Sequence, residues 1–329
     1  MPQSSRGMTT MRGVSLSPRL PLIDAGRAAA VAAMIVYHFA WDLRYFGFIA
    51  VDVAESPGWR MFARLIAGSF IFLVGVSLVL ATRSGVHPRR FLKRLGIIAA
   101  AAGAITLVTY FVFPDSFIFF GILHHIAVAS FLGLLFVRAP IPLVVAVAIL
   151  CFAVPPLLAG PAFDRPALLW LGLASYFPRT NDFVPVFPWF GMALFGIAAA
   201  RLAPIAAPYL AGITGRAQTI PPALLWAGRH SLAIYLLHQP ILLGLVYLAA
   251  EIFPPNFAGF EPAFVESCIA RCTGSGLEAD ICRRTCACAA EEAQAAGLWA
   301  GLMRETLSEE EARRYFALVD QCRAASAAP

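Results

Sequence analysis

The sequence predicts an all-α protein: a polytopic membrane helical bundle of about seven transmembrane helices, with a small disulfide-stapled helical tail at its C-terminus. Three observations lead there. Of 329 residues, 60% are apolar and 13% charged, with a mean hydropathy of +0.74; soluble domains run at about 45–50% and about 25%. The apolar residues fall in separate blocks, each near the ~20 residues with which a helix crosses about 30 Å of hydrocarbon. Six of the seven cysteines lie beyond residue 260. This composition excludes an ordinary water-soluble enzyme. The net charge of +6 then describes sidedness and lipid headgroups, and no basic stripe interleaved with aromatics points to nucleic acid.

Windows of about 19 residues place spans near 22–41, 61–81, 95–113, 118–137, 140–159, 184–202 and 231–250. Residues 168–176 are apolar but short and 203–210 are broken by prolines, so both read as interfacial or re-entrant pieces. Arginines precede the first apolar run as they would in a signal peptide, but no small-residue cleavage site follows, so a retained helix is expected. Segments before span 1 and between spans 2 and 3, 4 and 5, and 6 and 7 carry twelve Lys and Arg: Arg6, Arg12, Arg19, Arg83, Arg89, Arg90, Lys93, Arg94, Arg138, Arg201, Arg216 and Arg229. The alternate loops carry four: Arg44, Arg60, Arg165 and Arg179. By the positive-inside rule the N-terminus is cytoplasmic, and seven spans leave the C-terminus outside. The expected organisation is a cytoplasmic segment at 1–20, a transmembrane domain at 21–252 and a periplasmic cysteine-rich tail at 253–329, in a bacterial inner membrane.

The tail tests that topology. Cys268 and Cys272 are one helical turn apart, as are Cys282 and Cys286, with Gly274 and Gly276 between the pairs. A short antiparallel hairpin would bring all four sulfurs together. Of the fifteen pairings that six cysteines allow, this geometry favours Cys268 with Cys286 and Cys272 with Cys282, leaving Cys288 for Cys322. Zinc is the rival reading; the tail has no histidine, and an outward compartment oxidises thiols, so disulfides are expected and no metal. From Glu261 onward eleven acids face seven arginines. The alternation there suits amphipathic helices, with Ser308 as a cap. Cys151 lies within span 5 and reads as packing.

Ionisable groups at membrane depth are costly and therefore informative. Asp24 and Arg27 share one face of span 1 near its inner end, where they neutralise one another or snorkel. His38 and Asp42 lie four apart, so the carboxylate can orient one imidazole nitrogen and leave the other free as a base or nucleophile; an interfacial His beside an Asp, in an aromatic belt with Tyr37, Trp41 and Tyr45, is the bland alternative. FFGILHHIA places His124 and His125 just inside the outer surface, about 100° apart on the helix, so at most one faces the same cavity as His38. Span 7 adds His238 and Gln239 before Pro240, which frees a carbonyl in the preceding turn; a buried helix-to-helix hydrogen bond is the commoner role of such a histidine. The loop RSGVHPRRFLKR attracts anionic lipid. The same groups, Arg89, Arg90, Lys93 and Arg94, joined by Arg229 and His230, would also serve a phosphate-rich co-substrate arriving from the cytoplasm.

Four ordered stretches carry a resemblance: PRLPLIDAGRAAAVAAMIVYHFAWDLRYFG, FGILHHIAVAS, PVFPWFGMALFGIAAAR and GRHSLAIYLLHQPIL. Together they resemble the bacterial proteins of the heparan-alpha-glucosaminide N-acetyltransferase catalytic-domain family, also known as DUF1624, over about 19–250. The resemblance implies a membrane acyltransferase passing acetyl from cytoplasmic acetyl-CoA to an amino sugar or other glycan on the far side. It points to Asp24, Arg27, His38, Asp42, His124, Asp182, Trp189, Gly228, Ser231, Tyr235, His238 and Pro240. Two departures stand out. Ala28 replaces the glycine that follows the family's arginine, and residues 43–58 lack the histidine that lysosomal relatives carry after their first helix.

The leading expectation is therefore acyl transfer with acetyl-CoA as co-substrate. His38 oriented by Asp42 would act on the acceptor, His124 and His238 would line the path, and the basic residues would hold CoA. Membrane lipids and the glycan acceptor are the expected partners, and a homo-oligomer is compatible with the sequence. Two other classes compete: a carrier for a small anion or proton-coupled solute, which an internal repeat would have favoured and none does, and a non-catalytic envelope scaffold built on the tail.

Overall fold

The computed structural model describes residues 21–54, 56–206, 220–255, 257–304 and 306–327. The expected cytoplasmic segment at 1–20, Arg216 and the part of the proline-broken stretch beyond residue 206 lie outside them. Among the described residues eight helices build the bundle: α1 (Pro21–Tyr45), α2 (Pro57–Thr82), α3 (Pro88–Val112), α4 (Ile122–Gly133), α5 (Ile141–Leu158), α6 (Val186–Ala206), α7 (Pro222–Arg229) and α8 (Ser231–Ile252). Four more, α9 (Glu261–Gly274), α10 (Ala279–Ala295), α11 (Trp299–Arg304) and α12 (Glu309–Ala327), form the tail. Proline in the first turn opens α2, α3, α5, α7 and α9, where its missing N–H costs no hydrogen bond.

Among the described residues, six helices are long and apolar enough to cross a membrane: α1, α2, α3, α5, α6 and α8. The fourth expected span, 118–137, is corrected to the 12-residue α4. Two threonines of α3 explain the difference. Thr106 Oγ1 donates to the Ile118 carbonyl at 2.7 Å, and the Ile118 N–H donates to Thr109 Oγ1 at 3.0 Å. These bonds hold 117–121 out of helix. Phe120 also forms a β-bridge with Phe183, its carbonyl accepting from the Val184 N–H. Non-helical backbone survives at membrane depth only where protein satisfies it, and these contacts do so. At the other end a Cβ on Gly133 would lie 2.8 Å from Leu78, and the Arg201 guanidinium donates to the Ala139 carbonyl. Since Leu78 and Arg201 lie toward the C-terminal ends of α2 and α6, the chain still traverses the bundle.

Helix α6 is the centre, packed against α2, α4 and α5, while α1 packs on α2, α7 and α8. The α2–α6 contact is backbone on backbone: a Cβ on Gly75 would lie 2.0 Å from the Ala193 carbonyl oxygen, and one on Gly196 2.1 Å from that of Phe72. Lipid tails are as apolar as leucine, so close approach through small residues supplies the dispersion contacts that hold such helices together.

In the tail the disulfides are Cys268–Cys286, Cys272–Cys282 and Cys288–Cys322, the pairing that the hairpin spacing favours. Ser308 caps α12, its Oγ accepting from the Glu311 N–H while Glu311 Oε2 accepts from the Ser308 N–H, a capping box. Phe257, Phe260, Ala290, Ala293 and Trp299 form a small core, with the Trp299 indole donating to the Phe257 carbonyl at 2.9 Å. That core is seated on the end of α1. Gly47 has φ +87°, and a Cβ there would lie 2.1 Å from the Phe257 ring; the Arg44 guanidinium sits 4.1 Å over Phe260.

Loop-closure entropy ranks the cross-links. Removing Cys288–Cys322, which spans 34 residues, should cost the tail about 4 kcal/mol, against about 3 kcal/mol for Cys272–Cys282, which spans 10. Limited proteolysis of the two double Cys→Ser variants checks the order, with cleavage beyond residue 260 faster in the first.

Candidate active site

The site assembles where α1 and α8 lie side by side. The i, i+4 spacing puts His38 and Asp42 on one face of α1, and His238 and Gln239 face them from the turn of α8 before Pro240. The His38 and His238 rings are 4.9 Å apart, edge to face at 62°. His238 is 8% exposed. Its Nδ1 lies 2.6 Å from the Tyr235 carbonyl; a carbonyl only accepts, so Nδ1 carries the proton and Nε2 is left as a lone pair. Nε2 is buried and has no hydrogen-bond partner among the described residues.

Asp42 is fully buried. It does not orient His38 as the spacing predicts; instead the Gln239 amide donates to Asp42 Oδ1 at 2.8 Å. Each member of the α1 pair thus engages the facing helix rather than its neighbour one turn away. Asp42 Oδ2 and Gln239 Oε1 have no hydrogen-bond partner among the described residues. The cluster therefore offers acceptors in excess, a setting suited to a ligand rich in N–H or O–H.

His124 stands apart. The Gly121 N–H donates to its Nδ1 at 3.2 Å, so its Nε2–H faces Thr106 Oγ1 at 3.1 Å. With both nitrogens engaged, it holds the non-helical entry to α4. His125 is fully buried, its ring facing the backbone of Val184 and Pro185. Asp182 completes that entry, its Oδ2 accepting from the Ile122 N–H at 2.8 Å; a Cβ on Gly121 would lie 2.3 Å from the same oxygen. Tyr235 joins the two regions, its ring 5.8 Å from that of His238 and within electrostatic range of Asp182. Trp189 packs near Gly68 of α2, and Ser231 opens α8.

Burial pushes the Asp182 carboxyl up to about 6, partly opposed by the Ile122 N–H. A folded-state value above the ordinary one means that the folded protein holds this proton more tightly than the unfolded chain. This residue's contribution to stability therefore falls as pH rises from about 4 to about 6 and is level above that. Asp182→Asn keeps the acceptor for Ile122 and removes the titration. Its melting temperature relative to the native chain should rise by a few degrees between about pH 4 and about pH 6 and then stay constant, as thermal unfolding in detergent will show.

At the other end of α1, Asp24 is held by two arginines: Arg229 Nε at 3.4 Å and Arg27 at 3.7 Å. Arg27 also donates to Ser77 Oγ at 2.6 Å, and Arg94 lies within electrostatic range of Arg27. One buried carboxylate against three guanidiniums leaves positive charge in surplus. The approach depends on Gly228, where a Cβ would lie 1.9 Å from the Asp24 carbonyl oxygen. Ala28, next to Arg27 in sequence, is buried. Arg89, Arg90 and Lys93 are exposed on the first turns of α3. His230 stacks on Trp226 at 4.5 Å and bonds through Nδ1 to its carbonyl at 2.9 Å.

The structure thus brings together His38, Asp42 and His238, and separately Asp24, Arg27, Arg94 and Arg229; it leaves His124 outside both. Gln239, Ser77 and Thr106 are the partners that sequence reasoning did not assign. Only Gln239 carried a signal, a polar residue next to His238 in an apolar span. Among the described residues no group of three or more His, Cys, Asp or Glu is placed to hold a metal ion.

A multi-pass helical bundle with a histidine pair, one ring buried and the other half-buried, and arginines at one end of the helix that carries one of the rings, defines a membrane protein with a polar site inside the bundle. The family model described as heparan-alpha-glucosaminide N-acetyltransferase, catalytic, matches residues 19–240, and the chain belongs to that family. No curated protein and no solved structure gives a significant match. The matched region contains every residue of both clusters and ends before the tail.

Proposed function

We propose that the chain is a membrane acetyltransferase that takes acetyl from acetyl-CoA, arriving at the arginine-rich end from the cytoplasm, and passes it to an amino sugar or other glycan reaching the site from the opposite side. The observation that carries this reading is the His238 imidazole: buried, its tautomer fixed by the Tyr235 carbonyl, its Nε2 free, and a second imidazole against it.

Arg27, Arg94 and Arg229 would hold the CoA phosphates by charge-assisted hydrogen bonds. From Asp24 to His38 is 14 residues, about 21 Å at 1.5 Å per residue, within reach of an extended pantetheine arm. His238 Nε2 would take the proton of the acceptor amine or hydroxyl as its nitrogen or oxygen bonds to the thioester carbon. The C–S bond then breaks, and the proton passes from the imidazole pair to the departing thiolate, so the products are acetylated acceptor and CoA thiol. The unpaired oxygens of Asp42 and Gln239 would receive the acceptor's N–H and O–H groups.

Proteoliposomes with labelled acetyl-CoA outside and glucosamine inside test the reading on the population whose arginine-rich end faces outward. Label on internal glucosamine with matching thiol release is expected. Neither product nor thiol release, from protein shown to be folded, would overturn it.

A further inference from the structure

A groove of about 420 Å³ opens on the surface of the bundle along α8, walled by Ile35, Trp226, Ile234, Leu237, His238 and Leu242 among others. It exposes no polar atom; His238 contributes ring carbon, its Nε2 being buried. From His230 to Leu242 the groove follows 12 residues, about 18 Å of helix. Leu237, Ile241, Leu245 and Leu248 are all more than half exposed along this helix, so the groove faces the hydrocarbon of the bilayer. Among the described residues the stacked pair Trp226 and His230 forms its polar boundary, the amphipathic kind of side chain found at headgroup level.

The chemistry of the wall selects the occupant. A pantetheine arm brings two amides and a hydroxyl, each losing water here without gaining a partner. An alkyl chain loses nothing, and the bilayer supplies one alongside. We propose that this groove binds a phospholipid of the surrounding leaflet, its headgroup beside His230 and Trp226 and one acyl chain lying along α8 against the carbon edge of His238. The site is independent of the acyl-transfer reading and stands whether or not the chain is an acetyltransferase.

The test uses the full chain in nanodiscs of phosphatidylethanolamine and phosphatidylglycerol, doped with phospholipids bearing a diazirine either near the carbonyl or near the methyl end of one acyl chain. After irradiation and digestion, adducts should concentrate on 226–242, several-fold above those on Leu107 and Phe111 of α3, which are exposed and lie outside this groove. The carbonyl-end probe should label 226–234 and the methyl-end probe 237–242. Ala233→Phe, which fills the groove from an exposed position, should lower adducts on 226–242 several-fold while leaving those on α3 unchanged; Leu237→Trp should do the same from a second position. Equal labelling of α3 and α8, the reverse order of the two probes, or undiminished labelling in both filled variants would overturn the proposal.

Discussion

Replacing His238 by alanine should lower acetyl transfer by about two to four orders of magnitude, the range that a positioned general base supplies. The loss should appear in kcat with little change in KM for acetyl-CoA, because the arginine cluster lies at the far end of α1 and is untouched. His38→Ala should lower kcat by about tenfold, since it removes the relay partner and leaves the Nε2 lone pair of His238 in place. The double variant separates the roles. If the rings act as one unit, it is no slower than His238→Ala alone, as non-additivity within a catalytic unit requires. Steady-state turnover of the three variants checks this, and native-like turnover in His238→Ala would remove it from the mechanism.

Gly228→Ala should be the most damaging single methyl in the bundle's basic end. The added carbon would lie 1.9 Å from the Asp24 carbonyl oxygen, and that neighbour is backbone, so it cannot rotate away. Helix α7 must then part from α1, drawing Arg229 off Asp24. A buried carboxylate that loses part of its neutralisation is costly, and with the lost packing a destabilisation of about 3 kcal/mol or more is expected. KM for acetyl-CoA should rise by about tenfold as the guanidinium moves. Gly244→Ala is the matched control: no atom lies within 4 Å of its added Cβ, so it should leave activity unchanged and gain up to about 1 kcal/mol of helix propensity. Thermal unfolding and substrate titration of both variants distinguish packing at Gly228 from a general effect of replacing glycine.

Much of the architecture was legible because a bilayer imposes it: runs of apolar residues of the right length become helices. The disulfide pairing was legible because i, i+4 spacing around a glycine turn favours the two hairpin bridges, which leaves Cys288 for Cys322. What escaped was whatever depends on a partner far along the chain. The apolar run at 118–137 reads as a span, and nothing local announces that Thr106 and Thr109 bend its first residues out of helix. His38 and Asp42 look like a self-contained pair, yet their partners lie some two hundred residues away on α8. His124 has the right residue type in the right stretch but is occupied by Gly121 and Thr106. Sequence thus located the polar groups, and only the crossing of α1 with α8 decided which of them meet.

The seating of Phe257 and Phe260 on Gly47 and Arg44 joins segments some two hundred residues apart. So long an intervening stretch must be closed before the contact can form, and pairings of that separation are slow. The join therefore belongs to the late steps of folding, and until it is made the far end of α1 keeps apolar surface uncovered.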